Sequence, residues 1–281
     1  MKTMHPYVIA DVFTATPLEG NPLAVFTDGS EIPAVRMQQI AREMNLSETV
    51  FVLPPESGGD ARVRIFTPAA ELPFAGHPIL GTAIFLAGQS GSTSITLETG
   101  AGPVEVTMEL VDGQIVSGQM AQPIPTWWPY DRTEELFAAL GVKASALPVE
   151  LYQNGPQHLS VALETEAEVA ALAPDLSALA RLGAMSVSTF AGSGEKWKTR
   201  VFCPAMGVPE DPATGSAAGP LAVHLARYGR IEYGRQIRIS QGAEIGRPST
   251  LLAEVQGSGD RIDRVLVAGS AVVVARGELT I

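Results

Sequence analysis

Apolar residues occur in this chain mostly as short runs bounded by glycine, proline and polar residues, a pattern that predicts many short strands. In the first half, Tyr7–Phe13, Leu23–Phe26, Thr49–Leu53, Arg62–Phe66, Ser94–Thr99 and Val104–Leu110 read as strands. In the second half, Val149–Tyr152, His158–Leu163, Ala184–Phe190, Lys198–Phe202, Gln236–Ser240, Leu251–Val255 and Val265–Arg276 do so. Helical periods are fewer. Over Ala34–Met44, the residues Met37, Ile40, Ala41 and Met44 recur at i, i+3, i+4 and i+7, and Thr133–Leu140 and Glu166–Ala171 also read as helices. Ile79–Ala87 is apolar almost all round, which predicts a buried helix. A further helix opens near Gly215, with Leu221, Leu225 and Tyr228 on one face, and Gly81 and Gly219 read as points of close helix packing. Many strands and few helices predict an α+β fold with one barrel-like sheet per half around a central helix.

The two halves echo each other. Gly20-Asn21-Pro22 leads into Leu23–Phe26, as Asn154-Gly155-Pro156 leads into Leu159–Leu163. Phe66-Thr67-Pro68-Ala69 is matched by Phe202-Cys203-Pro204-Ala205, and each is followed by a Gly-polar pair, Gly76-His77 and Gly215-Ser216. Three matches in the same order predict two similar lobes with a site between them. The expected boundary lies in Ser117–Asp131, where Pro123, Pro125 and Pro129 surround Trp127-Trp128 and resist both helix and central strand. The tryptophans are expected to pack at the lobe junction. The division expected is 1–117 for the first lobe, with about 270–281 returning to it, and 118–269 for the second.

Charge and composition narrow the function. The net charge of −11 disfavours nucleic acid and anionic membranes as partners. An anionic substrate would need local positive potential, which helix N-termini supply. The single cysteine, Cys203, cannot form an internal disulfide or a cysteine-rich metal site, and suits a reducing compartment. No apolar run reaches the ~20 residues of a membrane span, and Met1–Asp11 lacks the apolar core of a signal peptide. A cytoplasmic protein is expected.

Three stretches are candidates for chemistry. Asn45 suits a helix terminus, and Glu48 then opens an apolar strand, sharing side-chain parity with Leu46, Val50 and Val52. A carboxylate on an apolar face suits proton transfer near neutrality. A strand apolar on both faces, with Glu48 at an exposed end, fits equally well. In the second stretch Gly76 allows close approach of a ligand, Pro78 suits a first helical turn, and His77 can orient or protonate a substrate. A capping histidine without chemistry also fits. In the third, Asp211 is a candidate for holding an amino group or a catalytic partner, and Gly215 and Ser216 for cradling a carboxylate, although Thr214-Gly215-Ser216 is also ordinary N-cap chemistry. Rival chemistries lack a pattern. There is no dinucleotide or Walker glycine motif, no nucleophile elbow, and His5, His77, His158 and His224 have no metal-ligand spacing. No metal or cofactor is expected. His224 reads as structural, and Arg42, Lys196, Lys198 and Arg200 as solvated charges.

Pro17-Leu18-Glu19-Gly20-Asn21-Pro22, Arg42–Glu48, Phe74-Ala75-Gly76-His77-Pro78 and Glu210–Leu221 together resemble the PhzF family of phenazine biosynthesis, and Gln122–Trp127, Asn154–His158 and Gln241–Ser249 extend the likeness over essentially the whole chain. The resemblance implies the diaminopimelate-epimerase fold, with two similar lobes, each a barrel-like sheet around a central α-helix, and the site in the cleft. Epimerases of that fold use a cysteine pair at the two glycine-containing turns. Here Ala75 and Ala213-Thr214 stand there, and Cys203 lies upstream, which excludes thiol-based racemisation. The activity implied is isomerisation of trans-2,3-dihydro-3-hydroxyanthranilate to an aminoketone. Glu48 would be the acid/base, His77 and Asp211 would position substituents and assist proton traffic, and Ser47, Gly76, Gly215 and Ser216 would contact the substrate. A homodimer is also implied. Two alternatives remain: an isomerase or epimerase of another small amino acid or cyclic carboxylate, and a catalytically silent interaction protein, against which the intact Glu48, His77 and Asp211 argue.

Overall fold

The computed structural model describes residues 3–281. The chain divides into two compact units, one running to Ala121 and regaining Ala268–Ile281, the other Gln122–Val267.

The first unit holds strands β1 (Met4–Val12), β2 (Asn21–Phe26), β3 (Glu48–Leu53), β4 (Ala61–Phe66), β5 (Glu71–Leu72), β6 (Ser94–Thr99), β7 (Gly102–Val111), β8 (Gln114–Gln122) and β18 (Ala271–Thr280), with helices α1 (Ala34–Met44) and α2 (Gly76–Ser90). β1 is antiparallel to β18 and β2, β2 is parallel to β3, β3 is antiparallel to β4, β4 is antiparallel to β5 and parallel to β6, and β6 is antiparallel to β7. The second unit holds β9 (Thr126–Pro129), β10 (Glu150–Gln153), β11 (Gln157–Ala162), β12 (Ser186–Ser193), β13 (Lys196–Cys203), β14 (Val208–Asp211), β15 (Ile237–Gln241), β16 (Ser249–Ser258) and β17 (Arg261–Gly269), with helices α3 (Thr133–Leu140), α4 (Glu166–Ala170), α5 (Leu176–Leu182) and α6 (Gly215–Arg227). Its pairings repeat the first unit's in the same order. β10 is antiparallel to β9 and β11, β11 is parallel to β12, β12 is antiparallel to β13, β13 is antiparallel to β14 and parallel to β15, and β15 is antiparallel to β16.

In each unit a buried helix follows a short strand, α2 after β5 in the first and α6 after β14 in the second. α2 touches β1, β2, β3, β6, β7 and β18, so strands surround it. Ile79, Leu80 and Phe85 are buried there, each contributing ~1.5–3 kcal/mol. Gly81 is where the wall comes closest. A Cβ at that position would lie 2.5 Å from Val12 Cγ2 and 2.9 Å from Leu23 Cδ2. α6 is buried from Gly215 to Ala226, so Leu221 and Leu225 belong to a helix enclosed all round and mark no single face. At its C-terminal end Arg227 Nη1 lies 2.6 Å from Glu150 Oε2, which also accepts from the Tyr152 hydroxyl at 2.8 Å. Burial alone would raise the Glu150 pKa, but hydrogen bonds from His224, Arg227 and Tyr152 outweigh it and hold the carboxyl down to about 2. His224, fully buried beside them, is structural, as its helical position suggests.

The structure departs from the sequence pattern in identifiable places. Trp127-Trp128 lies in β9, paired with Tyr152 and Leu151, and its flanking prolines fall at the strand's edge and end. Val265–Arg276 is two strands, broken at Ser270. Arg200 is not solvated. It is buried, forked onto Glu210 at 2.9 and 2.8 Å, and donates to Leu172 O at 2.7 Å. Lys198 lies 2.6 Å from Glu244 with little exposure. Arg42 and Lys196 remain exposed.

Gly81 and Gly88 sit on the same helix and predict opposite outcomes. Alanine favours a helix over glycine by up to ~1 kcal/mol. At Gly88 nothing lies within 4 Å of an added Cβ, so Gly88→Ala should stabilise by about that amount. At Gly81 the new methyl meets the walls above, and overpacking of ~1–3 kcal/mol should win. Urea unfolding of the two variants should move the midpoint in opposite directions.

Candidate active site

The two glycine-containing turns each open a buried helix that no side chain caps. Ala75, the residue ahead of α2, is extended and has no capping group. Pro78 has no N–H, and Ile79 N already donates to Ala75 O at 3.3 Å. The Gly76 and His77 N–H groups therefore point out of the helix start with no intrahelical acceptor. Thr214 precedes α6 but also leaves it uncapped, because its hydroxyl donates to Asp211 Oδ2 at 2.6 Å.

In the first unit, α1 ends at Asn45, which is left-handed (φ 51°, ψ 37°) and bonds its N–H to Ala41 O. The chain bends through Leu46-Ser47 and enters β3 at Glu48, alongside Leu23 of parallel β2. β3 is buried on both faces beyond Glu48, so the parity of Glu48 with Val50 and Val52 does not distinguish a core face. What places Glu48 is contact with α2. Its Oε2 lies 3.3 Å from His77 Nε2, with the Glu48 side chain 16% exposed and that of His77 4%. Burial lowers the His77 pKa to about 3, so the ring is neutral at physiological pH. On its other side, His77 Nδ1 lies 3.4 Å from Asn21 Nδ2. A carboxylate touching a neutral imidazole is equipped to take and return a proton. Ser47 is half-buried directly before Glu48, and Gly76 is buried directly before His77.

In the second unit, Asp211 ends β14 and is buried. Gln241, at the end of β15, clamps the turn that follows. Its Nε2 donates to Asp211 O at 2.7 Å and Thr214 Oγ1 at 3.0 Å, and its Oε1 accepts from Thr214 N at 3.2 Å. Gly215 and Ser216 are the first residues of α6, and both are buried. Gln122 Nε2 donates to Gly215 O at 2.8 Å, and Asn154 Nδ2 donates to Ser216 O at 2.9 Å. The second bond has a covalent reason. Ser216 O would be met by the N–H four residues on, and that residue is Pro220.

The candidate residues thus gather into two groups. Glu48 and His77 touch, with Ser47 and Gly76 beside them. Asp211, Gly215 and Ser216 are joined through the Thr214 turn. Asn21, Gln122, Asn154 and Gln241 complete these groups and escaped the sequence reading. The asparagines stood inside the Gly-Pro echoes and served there only as marks of the repeat. Cys203 is buried. Among the described residues, no three His, Cys, Asp or Glu side chains converge to hold a metal ion, and no helix is long and apolar enough to cross a membrane.

The family model described as phenazine biosynthesis-like protein, PhzC-PhzF, matches residues 10–277. The chain is 53% identical over 274 residues to the trans-2,3-dihydro-3-hydroxyanthranilate isomerase of Pseudomonas aeruginosa, covering 98% of this chain and 99% of that protein. It is 52% identical over 278 residues to the protein of the same description in Pseudomonas chlororaphis, covering 99% and 100%. Among solved structures, the PhzF-family phenazine biosynthesis protein of Bacillus anthracis superposes with a TM-score of 0.87 at 26% identity, over 99% of this chain and 100% of that one. A hydroxyproline epimerase from Agrobacterium vitis shares the fold at 14% identity, with a TM-score of 0.67 over 99% and 93% of the two chains. The fold is the α+β diaminopimelate-epimerase-like one that the sequence resemblance implies.

Burying neutral histidines has a cost that appears in acid. His158, buried beside Ser186, has its pKa lowered to about 3 by burial, as His77 does. Below the unfolded value of 6.5 the unfolded chain binds protons that the folded chain refuses. Stability should therefore fall as pH drops from about 6.5 toward 3, by up to ~1.4 kcal/mol per pH unit for each ring. Urea unfolding at about pH 7 and about pH 5 measures the slope, and His158→Gln should lessen it.

Proposed function

This chain belongs to the PhzC-PhzF family of phenazine biosynthesis-like proteins, and from that we propose that it isomerises trans-2,3-dihydro-3-hydroxyanthranilate by general acid/base catalysis. The observation that carries the activity is identity above one half, over nearly the full length, to isomerases of that substrate. The observation that supports the mechanism is the Glu48–His77 contact.

In this reading Glu48 takes the proton from C3 of the substrate. The C3–H electron pair passes into the conjugated system, and the proton returns at C1, leaving an enol that tautomerises to the aminoketone. Atoms and electrons balance within the substrate, so no redox cofactor is required. A neutral His77 leaves Glu48 more basic than an imidazolium would, because a full positive charge at that distance would stabilise the carboxylate strongly. Asp211 is assigned to the amino substituent, and Ser47, Gly76, Gly215 and Ser216 to hydroxyl and backbone contacts. The uncapped helix starts suit the substrate carboxylate. The enzyme is read as cytoplasmic, in keeping with its single cysteine, and as a homodimer, as the family resemblance implies.

Enzyme-dependent loss of the substrate's ultraviolet absorbance tests the activity, and unchanged absorbance with folded protein would overturn it. Activity should also survive chelation and exhaustive dialysis. Glu48→Gln keeps shape but loses the titratable proton. Acid/base groups contribute ~10²–10⁴ in rate, roughly 2.7–5.5 kcal/mol, so kcat should fall by at least that range's upper end while substrate binding largely persists. Near-normal turnover in Glu48→Gln would remove Glu48 from this role.

A further inference from the structure

We propose that Asn21 is a positioning residue for the isomerisation: its side-chain amide holds His77 as the Nε2–H tautomer, with that nitrogen beside Glu48. The proposal rests on Glu48 being the acid/base of the reaction.

An asparagine amide nitrogen can only donate a hydrogen bond. Asn21 Nδ2 faces His77 Nδ1 at 3.4 Å, so Nδ1 must offer its lone pair. A neutral imidazole carries one ring proton, which then sits on Nε2. Nε2 is the atom 3.3 Å from Glu48 Oε2. The Asn21 contact is long for a hydrogen bond, and the approach of Nε2 to Oε2 lacks hydrogen-bond alignment, as contacts around a reacting group often do before substrate tightens them. Which ring nitrogen faces which group is what matters. An Nε2–H donor favours Glu48 as the carboxylate, ready to accept a proton. The opposite tautomer would set a lone pair against that oxygen and favour the protonated acid. Asn21 thus biases the resting site toward its base form.

Asn21 is built to hold this position. It is fully buried. It opens β2 opposite Val12, and Pro22 follows it with a fixed φ. Gly20 precedes it at φ 67°, where an added Cβ would lie 2.4 Å from Val12 O. Asn21 also shares a strand face with Leu23, the residue beside Glu48.

The second unit supplies a natural comparison. Asn154 stands at the echoed position and also reaches the second residue of its helix, but it bonds the Ser216 carbonyl. Pro220 leaves that carbonyl without its helical donor. The corresponding residue of α2 is Gly81, which keeps its N–H, so the His77 carbonyl needs no such help. In the first unit the same asparagine scaffold meets a side chain whose tautomer it can set.

Nitrogen-15 NMR of the ligand-free protein, labelled at histidine, distinguishes the two tautomers and the imidazolium, and His77→Gln identifies the His77 signals. The expected result is Nε2–H in the wild type and also in Glu48→Gln, where the glutamine can donate or accept and Asn21 alone decides. Adding Asn21→Ala to Glu48→Gln should give a mixed or switched tautomer. A wild type with Nδ1–H or imidazolium, or a tautomer that changes in Glu48→Gln while Asn21 is intact, overturns the proposal. So does a double variant that keeps a single Nε2–H form. With substrate, Asn21→Ala alone should lower kcat roughly 10-fold, less than the ~10²–10⁴ of losing an acid/base group itself, with KM little changed. Loss confined to KM overturns the proposal. Should Asn21→Ala not fold, the Glu48→Gln spectrum still decides. The spectra need no turnover, so they stand or fall separately from the substrate assignment.

Discussion

A helix whose first turn is buried has nowhere to send the N–H groups of that turn except into protein or ligand. Both units of this chain are arranged around that constraint. The strands surround α2 and α6 closely enough that glycine is needed at the contact with the wall. Neither helix start is capped by its own preceding residue. Ala75 has no group to offer, and Thr214 spends its hydroxyl on Asp211. Polar side chains gather around these starts, Asn21 and His77 in one unit, Gln122, Asn154 and Gln241 in the other, and in the second unit they meet backbone groups of the turn, since a buried polar group without a partner costs more than a hydrogen bond returns. In each unit the candidate residues thus stand where that unit's own polar demand is concentrated.

The same burial shapes the electrostatics. The chain carries a net charge of −11, and its buried cations are committed to carboxylates: Arg200 to Glu210, and Arg227 to Glu150. Near Glu48 the group in contact is instead a histidine kept neutral by desolvation. The proton transfer proposed there would depend on how neutral polar groups are oriented more than on charge. Small polar residues that orient a ring therefore matter as much as the ring.

Much of this was legible in the sequence where the signal is local. The stripe over Ala34–Met44 gives α1 with its bounds, because its apolar positions face one cluster. The apolar run after Gly76-His77 gives a buried helix, and the Gly-polar pairs mark both helix starts. The signal fails where partners are distant in the chain. Asn21 meets His77 across 56 residues, and Gln241 reaches Asp211 across 30, so nothing nearby reveals either contact. Arg200 and Lys198 looked solvated because a buried, paired cation has the same local sequence as an exposed one. The parity of Glu48 was uninformative because β3 is buried on both faces.

The closing of the first unit by β18 has a consequence for the order in which the protein is made. β18 pairs with β1 along its whole length, so two segments from far apart in the chain complete one sheet. The second unit is a continuous stretch and can fold as the ribosome delivers it. The first cannot seal until residues 271–280 have emerged. During synthesis, the half carrying Glu48 and His77 holds β1 without its β18 partner until those residues arrive.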